Sequence, residues 1–442
     1  MSVVTLQEAR SSSERYRAAF EAHGRADDPL TGLRRAALER FVAAGFPTQR
    51  QEDWKYTNLR RLEARTFAPA EGTALDVGAH EQRWIANAGT RIVLVNGQWM
   101  PALSSPGPQL PGMTLLTLRQ WSEHDAAAVA EFVARTSRAQ PSALEDLNLA
   151  FFEDGVVLDL AANARPDQPV YIVHQWTDGA TQVMSNPRVI VRAAAGSRCV
   201  LIEHFAGAGT GECFTNAVTD IDIAADAQVE HYRIQQESLR TFHIGHVNVR
   251  LQQNARYSSH DIALGAGLAR LNLGTTLQGP GAHVALHGLL APLATQHLDS
   301  HTCIDHAAPH TTSDENYRGI AGERGRGVFN GKVIVRPAAQ KTDARQSSRN
   351  LLLGAGAEID TKPELEIYAN DVKCSHGATT GQLDATALFY LRSRGLDETT
   401  ARTLLIRAFA ESVVTSIGPQ AVRNHLEQLL DERYALPAGV SS

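Results

Sequence analysis

From about residue 170 to residue 380, short apolar runs are broken by single polar residues, as in Val189-Ile190-Val191, Ile221-Asp222-Ile223, Val247-Asn248-Val249 and Leu271-Asn272-Leu273. Alternate side chains of an extended strand point to opposite faces, so each run reads as a strand with one face turned inward. A recurring phrase leads into the strands: a small residue, any residue, then an apolar one. Its copies are Gly196-Ser197-Arg198-Cys199, Asp226-Ala227-Gln228-Val229, Asn254-Ala255-Arg256-Tyr257, Gly281-Ala282-His283-Val284 and Gly356-Ala357-Glu358-Ile359. The first four recur every roughly 27 to 30 residues, a period typical of stacked repeats. A single rung cannot bury its own apolar face, so the pattern predicts a mainly β fold, a β-solenoid in which each rung packs on the next. A two-sheet sandwich would space its strands by roughly 8 to 12 residues with no longer period superimposed.

The two ends read differently. Leu33 to Ala44 carries Leu33, Ala37, Leu38, Phe41 and Val42 at helical spacing and is closed by Gly45 and Pro47. Residues 63 to 118 are mixed, with a strand at Arg91 to Val95, a turn at Asn96-Gly97 and a loose segment rich in Pro and Ser at 101 to 112. Ser142 to Glu145 has capping-box spacing, so a short helix ending near Phe152 delivers the chain to a first solenoid strand at Val156 to Leu160. After the solenoid, Asp384 and Asp397 cap two helices, Gly395 stops the first, and Pro419 opens a third bearing Val422, Leu426, Leu429 and Leu430. The expected organisation is a helical and mixed region over 1–150, a solenoid over 151–383 and a helical region over 384–442. The last region has two candidate roles: a cap over an open sheet edge, or a docking surface for a partner.

Composition narrows the class. With 43% hydrophobic and 20% charged residues the chain is an ordinary globular protein. It has no apolar run of membrane-spanning length and no apolar leader near its start, so a cytoplasmic location is expected. Four cysteines, none in a CxxC pair, suit neither a disulfide framework nor a four-thiolate metal site. A formal net charge of −6 argues against nonspecific nucleic-acid binding and leaves proteins or small molecules as partners.

The candidate chemistry is sparse. No GxxxxGK[ST] segment is present, so the chain is not itself a P-loop ATPase, and the glycines from Gly319 to Gly331 read as solenoid turns. His297, His301, Cys303, His306 and His310 supply imidazole and thiolate, but without a helical stripe or a HExxH glutamate the stretch reads as rung histidines before it reads as a metal site. Cys374 and His376 form a sharper pair, because residues two apart on a strand share a face and could meet one iron together. Two ligands do not close a site, so a functional pair needs others from another chain. Asp343, Glu358, Asp360, Glu364 and Glu366 add carboxylates nearby, with no pairing readable for acid–base work.

Several segments carry a family resemblance: Phe329-Asn330-Gly331-Lys332, Gln346 to Gly354, Lys362 to Tyr368, Asp371 to Leu383, Ala387 to Gly395, and Glu52-Asp53-Trp54-Lys55-Tyr56-Thr57. Together they resemble the SufB/SufD family of iron–sulfur cluster assembly proteins, and the Cys374-Ser375-His376-Gly377 stretch resembles its SufD branch. The resemblance implies a right-handed parallel β-helix between helical regions, pairing with a SufB-like paralogue, and a SufC-like ATPase bound through the C-terminal helices. A homodimer of the isolated chain is the other assembly expected. It further implies a non-enzymatic scaffold role, with a transient iron–sulfur cluster or iron at the SufB interface, no permanently bound cofactor, and His376 contributing beside Cys374. The cysteine of the SufB branch aligns near Ser348 and its glutamate at Gly377, which argues against an independent cluster site on this chain. The apolar stripe Ala401, Leu404, Leu405, Ala408, Phe409 and Val413 is the expected SufC docking face. The alternatives are a carbohydrate-active β-helix enzyme and a purely structural subunit.

Overall fold

A computed structural model describes residues 3–22, 28–70, 80–105, 110–136, 142–207 and 209–434. Residues 106–109 of the Pro- and Ser-rich segment and residues 435–442 of the C-terminal region lie outside the described residues. Among the described residues the chain forms a parallel β-solenoid of two facing sheets, one of eleven strands and one of ten, and from Arg188–Ala193 onward successive strands fall alternately in the two. Among the described residues every pairing between solenoid rungs is parallel; the antiparallel strand pairs are Leu94–Val95 with Gln98–Trp99, and Met113–Thr117 with Val156–Leu160, beside a single antiparallel bridge between Arg91 and Ser105. A continuous aliphatic core fills one side of the lumen from Ile92 and Leu158 through Val191, Val229, Leu251 and Val284 to Val335.

The turns explain the repeating phrase. Gly196, Asp226, Asn254 and Gly281, its first residues, adopt left-handed backbone with φ of 70°, 59°, 55° and 73°. Gly takes this conformation freely and Asn and Asp tolerate it, whereas bulkier residues rarely do. Ser197, Ala227, Ala255 and Ala282, the second residues, are fully buried in the corner. The same corner continues at His310-Thr311 and Lys341-Thr342, where His310 and Lys341 hold φ of 59° and 63°. There a threonine takes the inner position, and its hydroxyl donates to a carbonyl, Thr311 to Ala308 at 3.1 Å and Thr342 to Ala339 at 2.8 Å. The copy at Gly356 to Ile359 belongs to the opposite corner, since its strand Glu358–Ile367 enters the eleven-stranded sheet.

The glycines between 319 and 331 divide between two roles. Gly322 and Gly325 flank a turn as expected, whereas Gly319 and Gly331 lie inside strands Thr312–Ala321 and Arg326–Val335. They are small because another side chain fills the space there, from across the lumen at Gly331 and from the neighbouring rung at Gly319. A Cβ on Gly331 would stand 2.0 Å from Nε2 of Gln346, and one on Gly319 would stand 2.6 Å from Oδ1 of Asn350.

The N-terminal region is tied into the solenoid. Helix Thr31–Ala44 ends at Gly45 with φ 69°, and packs on helix Ala143–Phe151 through Ala37, Leu38 and Phe41. Ser142 caps the latter in a full capping box with Glu145. Strands Thr90–Val95 and Met113–Thr117 join the two solenoid sheets, so the sheets begin with residues ahead of position 151. Periodicity alone did not place these two strands in the sheets, because their pairing partners lie far along the chain.

The three C-terminal helices, Ala385–Ser393, Glu398–Val414 and Gln420–Tyr434, begin and end where the caps indicate. Asp384 accepts from Thr386 N–H and Asp397 from Thr400 N–H. The last two helices lie along the outer face of the ten-stranded sheet. The Gly418 N–H donates to Tyr232 Oη at 3.1 Å, Arg433 to the Ala291 carbonyl at 2.9 Å, and Tyr434 Oη to the Ile320 carbonyl at 3.3 Å. They are therefore a side buttress, and the reading of this region as a cap over the open sheet edge does not describe its position.

Candidate functional site

The solenoid stops without a lid. Strand Lys373–Gly381 ends the ten-stranded sheet and strand Glu358–Ile367 ends the eleven-stranded one, and no described residue pairs with the outer edge of either. Buried edges must find hydrogen-bond partners and exposed ones solicit them, so a bare pair of parallel edges is a template for another chain.

Cys374 and His376 sit on that terminal strand. Cys374 is half-buried and packs against the lumen core with Leu365 and Val372, whereas His376 is exposed. The period of two then puts both on the lumen side, as their spacing predicts. Burial pushes the Cys374 thiol above its ordinary range, the Asp343 charge pushes it further, and the Ala344 N–H pulls against both. In the free chain this sulfur is a thiol, not a ready thiolate nucleophile.

Directly beneath lies a polar layer. In parallel register, Gln346 faces His376, Ala344 faces Cys374 and Ser348 faces Ala378. Ser348 accepts from the Thr361 hydroxyl at 3.1 Å across the lumen, and the Gln346 amide donates to the Glu315 carboxylate at 2.5 Å. Burial raises the Glu315 carboxyl to about 7, while hydrogen bonds from Gln346 and Thr302 oppose that rise. Tyr317 stacked on Phe329, with ring centroids 4.3 Å apart, makes the floor. The mouth is thus a shallow polar recess over an aromatic plug. Gln346 and Ser348 belong to a segment that sequence reasoning singled out without assigning roles, and Glu315 was missed. The one available signal was the alternation Asp314-Glu315-Asn316-Tyr317, which puts Glu315 and Tyr317 on one face and Asp314 and Asn316 on the other without saying which face is inward.

The other candidates disperse. Glu358 and Asp360 pair with Arg326, Glu364 with Lys362, Glu366 with Lys332, and Asp343 with Arg345. These are ladders outside the lumen, mostly between neighbouring strands, and they leave no convergent pair of carboxylates. His297, His301 and Cys303 do share the outer face of strand His297–His306, but His306 turns inward to Thr311 and Ser313, at 2.8 and 3.0 Å, and His310 sits in a turn. Among the described residues no three His, Cys, Asp or Glu side chains are grouped to hold a metal ion.

The segment Glu52 to Thr57 has a structural explanation. Glu52 reaches Lys362 at 2.6 Å on the penultimate strand, and Trp54 lies under the Arg270 guanidinium at 3.8 Å. Thr57 bonds to the buried Asp299 carboxylate and to His297 at 2.8 Å. Burial would raise the Asp299 carboxyl, yet the charges of His301 and Arg270 hold it well below the usual carboxylate range. Thr57→Val keeps the shape and removes one donor to that buried charge. It is expected to lower unfolding stability by about 1–2 kcal/mol, as read by urea titration.

On the C-terminal helices, Ala401 and Val413 are buried in the bundle, Phe409 is half-buried beneath Arg318 with 5.7 Å from guanidinium to ring, and Leu405 is half-buried. Leu404 and Ala408 remain exposed. The buried stripe of helix Glu398–Val414 runs instead through Ala401, Ile406, Ala410, Val413 and Val414. The largest uncovered apolar side chains lie on the preceding helix, where Phe389 is 73% and Tyr390 61% exposed.

The SUF system FeS cluster assembly SufBD core domain matches residues 175–409, and the SufBD protein N-terminal region matches residues 14–172. An iron–sulfur cluster assembly SufBD family protein of Synechocystis is 33% identical over 93% of this chain and 92% of its own length. The iron–sulfur cluster assembly protein SufD of Escherichia coli is 29% identical over 98% of this chain and 99% of its own. The chloroplastic protein ABCI7 of Arabidopsis thaliana is 27% identical over 91% of this chain and 86% of its own. Among the described residues no helix is long and apolar enough to cross a membrane.

Proposed function

The chain belongs to the SufBD family of iron–sulfur cluster assembly proteins, and from that premise we propose that it is a non-enzymatic cytoplasmic scaffold subunit. It pairs with a SufB-like paralogue through the open solenoid end and carries a SufC-like ATPase on its C-terminal helices. It offers His376, with Cys374 beside it, to a cluster being built at the shared interface. The cluster is cargo, with iron, sulfide and the remaining ligands coming from outside this chain.

The observation that carries this reading is the bare terminal edge that presents His376. The Lys373 N–H is spent on the Thr342 carbonyl at 2.8 Å, so by strand alternation Ser375, Gly377 and Thr379 also face inward to the sheet. Cys374, His376, Ala378 and Thr380 then direct their amides to the free side. A partner strand added there continues the sheet by main-chain bonds and covers the lumen mouth. Imidazole suits iron and thiolate is its softer companion, and an enclosed interface removes water from both.

For the ATPase, the uncovered Phe389 and Tyr390, with Leu404 at 43% exposure, form the apolar surface that helix docking requires. Changing Phe389 and Tyr390 together to serine is expected to weaken ATPase copurification by about tenfold or more, with pairing to the SufB-like chain retained. Undiminished copurification would remove this surface from the model of assembly. Loss of both partners at once would indicate unfolding. The carbohydrate-active reading lacks its convergent carboxylates, since Asp360, Glu364 and Glu366 are engaged in ion pairs and Glu315 is bonded to the Gln346 amide.

A further inference from the structure

We propose that Gln346 and Glu315 are positioning residues for His376. Gln346 offers its amide oxygen to the imidazole once the open end is covered, and Glu315 fixes which way that amide faces. This rests on the reading of His376 as the residue that serves cluster assembly.

Three observations converge. Gln346 is the register partner of His376 on the neighbouring rung, and both lie on the lumen side. Gln346 and Glu315 are 4% and 1% exposed, and the amide nitrogen donates to Oε2 of Glu315 at 2.5 Å. A carboxylate only accepts hydrogen bonds, so it captures the NH2 end of the amide and leaves the oxygen end turned elsewhere. That oxygen, Oε1 of Gln346, is buried and has no hydrogen-bond partner.

An unpaired buried acceptor is unfavourable and calls for a donor that arrives later. Space for the arrangement is set aside on the facing strand, where Gly331 carries no Cβ and the amide occupies the place one would take. Burial, the largest influence, and the neighbouring Asp314 charge raise the Glu315 carboxyl to about 7, while the hydrogen bonds from Gln346 and Thr302 favour its accepting form.

In the free chain the His376 ring is exposed, and water satisfies it. A partner strand laid along the terminal edge strips that water. An imidazole N–H then turns toward the Gln346 oxygen, which selects one tautomer and aims the other ring nitrogen at the interface. Metal-binding histidines are commonly oriented this way by a second acceptor.

The test uses this chain labelled with 15N-histidine and assembled with its SufB-like and SufC-like partners, with the His376 signal assigned by its loss in His376→Asn. The wild-type complex is expected to show a single His376 tautomer. Gln346→Leu is expected to mix the tautomers and slow cluster formation about tenfold, and Glu315→Gln to act in the same direction. Should Gln346→Leu lower the melting temperature, Gln346→Asn, which keeps the amide but shortens its reach, is expected to give the same tautomer mixing in a stably folded chain. A pure wild-type tautomer and unchanged rate in the Gln346 variants, alongside a deficient His376→Ala, would overturn the positioning role and leave the His376 reading intact. A fully active His376→Ala would overturn that reading and the positioning role with it.

Discussion

His376→Ala is expected to lower cluster formation in the assembled complex on the order of 100-fold, while native mass and melting temperature stay at wild-type values. Removing a residue that supports a metal ligand typically costs 10- to 100-fold, and removing the ligand itself costs at least as much. The fold is indifferent to the change because the side chain is exposed at the lumen mouth, and the ladder to strand Asp343–Leu352 uses only backbone. Cys374→Ala should have the smaller effect, since its sulfur is half-buried and held as a thiol by burial and by Asp343. The readout is iron and acid-labile sulfide per complex together with the rate of cluster transfer to an apo-ferredoxin. A His376→Ala rate within about twofold of wild type would leave the ring without the role assigned to it.

The second large effect is on assembly. Ala378 directs its N–H to the free side of the terminal strand, so Ala378→Pro deletes a donor that the isolated chain does not use. Proline is tolerated at such an edge position. The chain should fold with an unchanged melting temperature. Its affinity for the SufB-like partner should fall, because one ladder bond is lost and the partner carbonyl opposite is buried without a donor. Together these cost roughly 2–4 kcal/mol, about 30- to 1000-fold in Kd. Ser375→Pro makes the contrast: its N–H faces the preceding rung, so that substitution should destabilise the chain itself. Equal partner affinity for Ala378→Pro and wild type, by biolayer interferometry, would move the interface away from this edge.

How far these features could be read in the chain depends on how local their causes are. The four clear turn phrases were legible because Gly196, Asp226, Asn254 and Gly281 are residue types that suit a left-handed backbone. The corner at His310 and Lys341 was not, since nothing in a histidine or lysine announces φ near 60°. Helix ends at Ser142, Asp384 and Asp397 were legible for the same local reason, a side-chain oxygen that accepts from the first turn.

The shared face of Cys374 and His376 followed from the period of two, but the layer beneath them did not. Gln346 meets Glu315 across 31 positions and meets the backbone of Gly331 across the lumen. Likewise the apolar stripe on helix Glu398–Val414 was legible as a stripe, but not how it divides between buried residues and the exposed Leu404 and Ala408. Ala401 and Val413 are buried in the chain's own bundle, and the most exposed large apolar side chains of the three helices are Phe389 and Tyr390 on the helix before it.

The most direct test of the scaffold role is coexpression of this chain with the SufB-like and SufC-like proteins of its own source, followed by native mass determination and anaerobic iron and sulfide quantification. The account predicts a mixed complex that gains an iron–sulfur chromophore with wild-type His376 and loses it with His376→Ala, at the same mass. A stable homo-oligomer that ignores both partners, or a mixed complex whose iron and sulfide content is indifferent to His376, would contradict it.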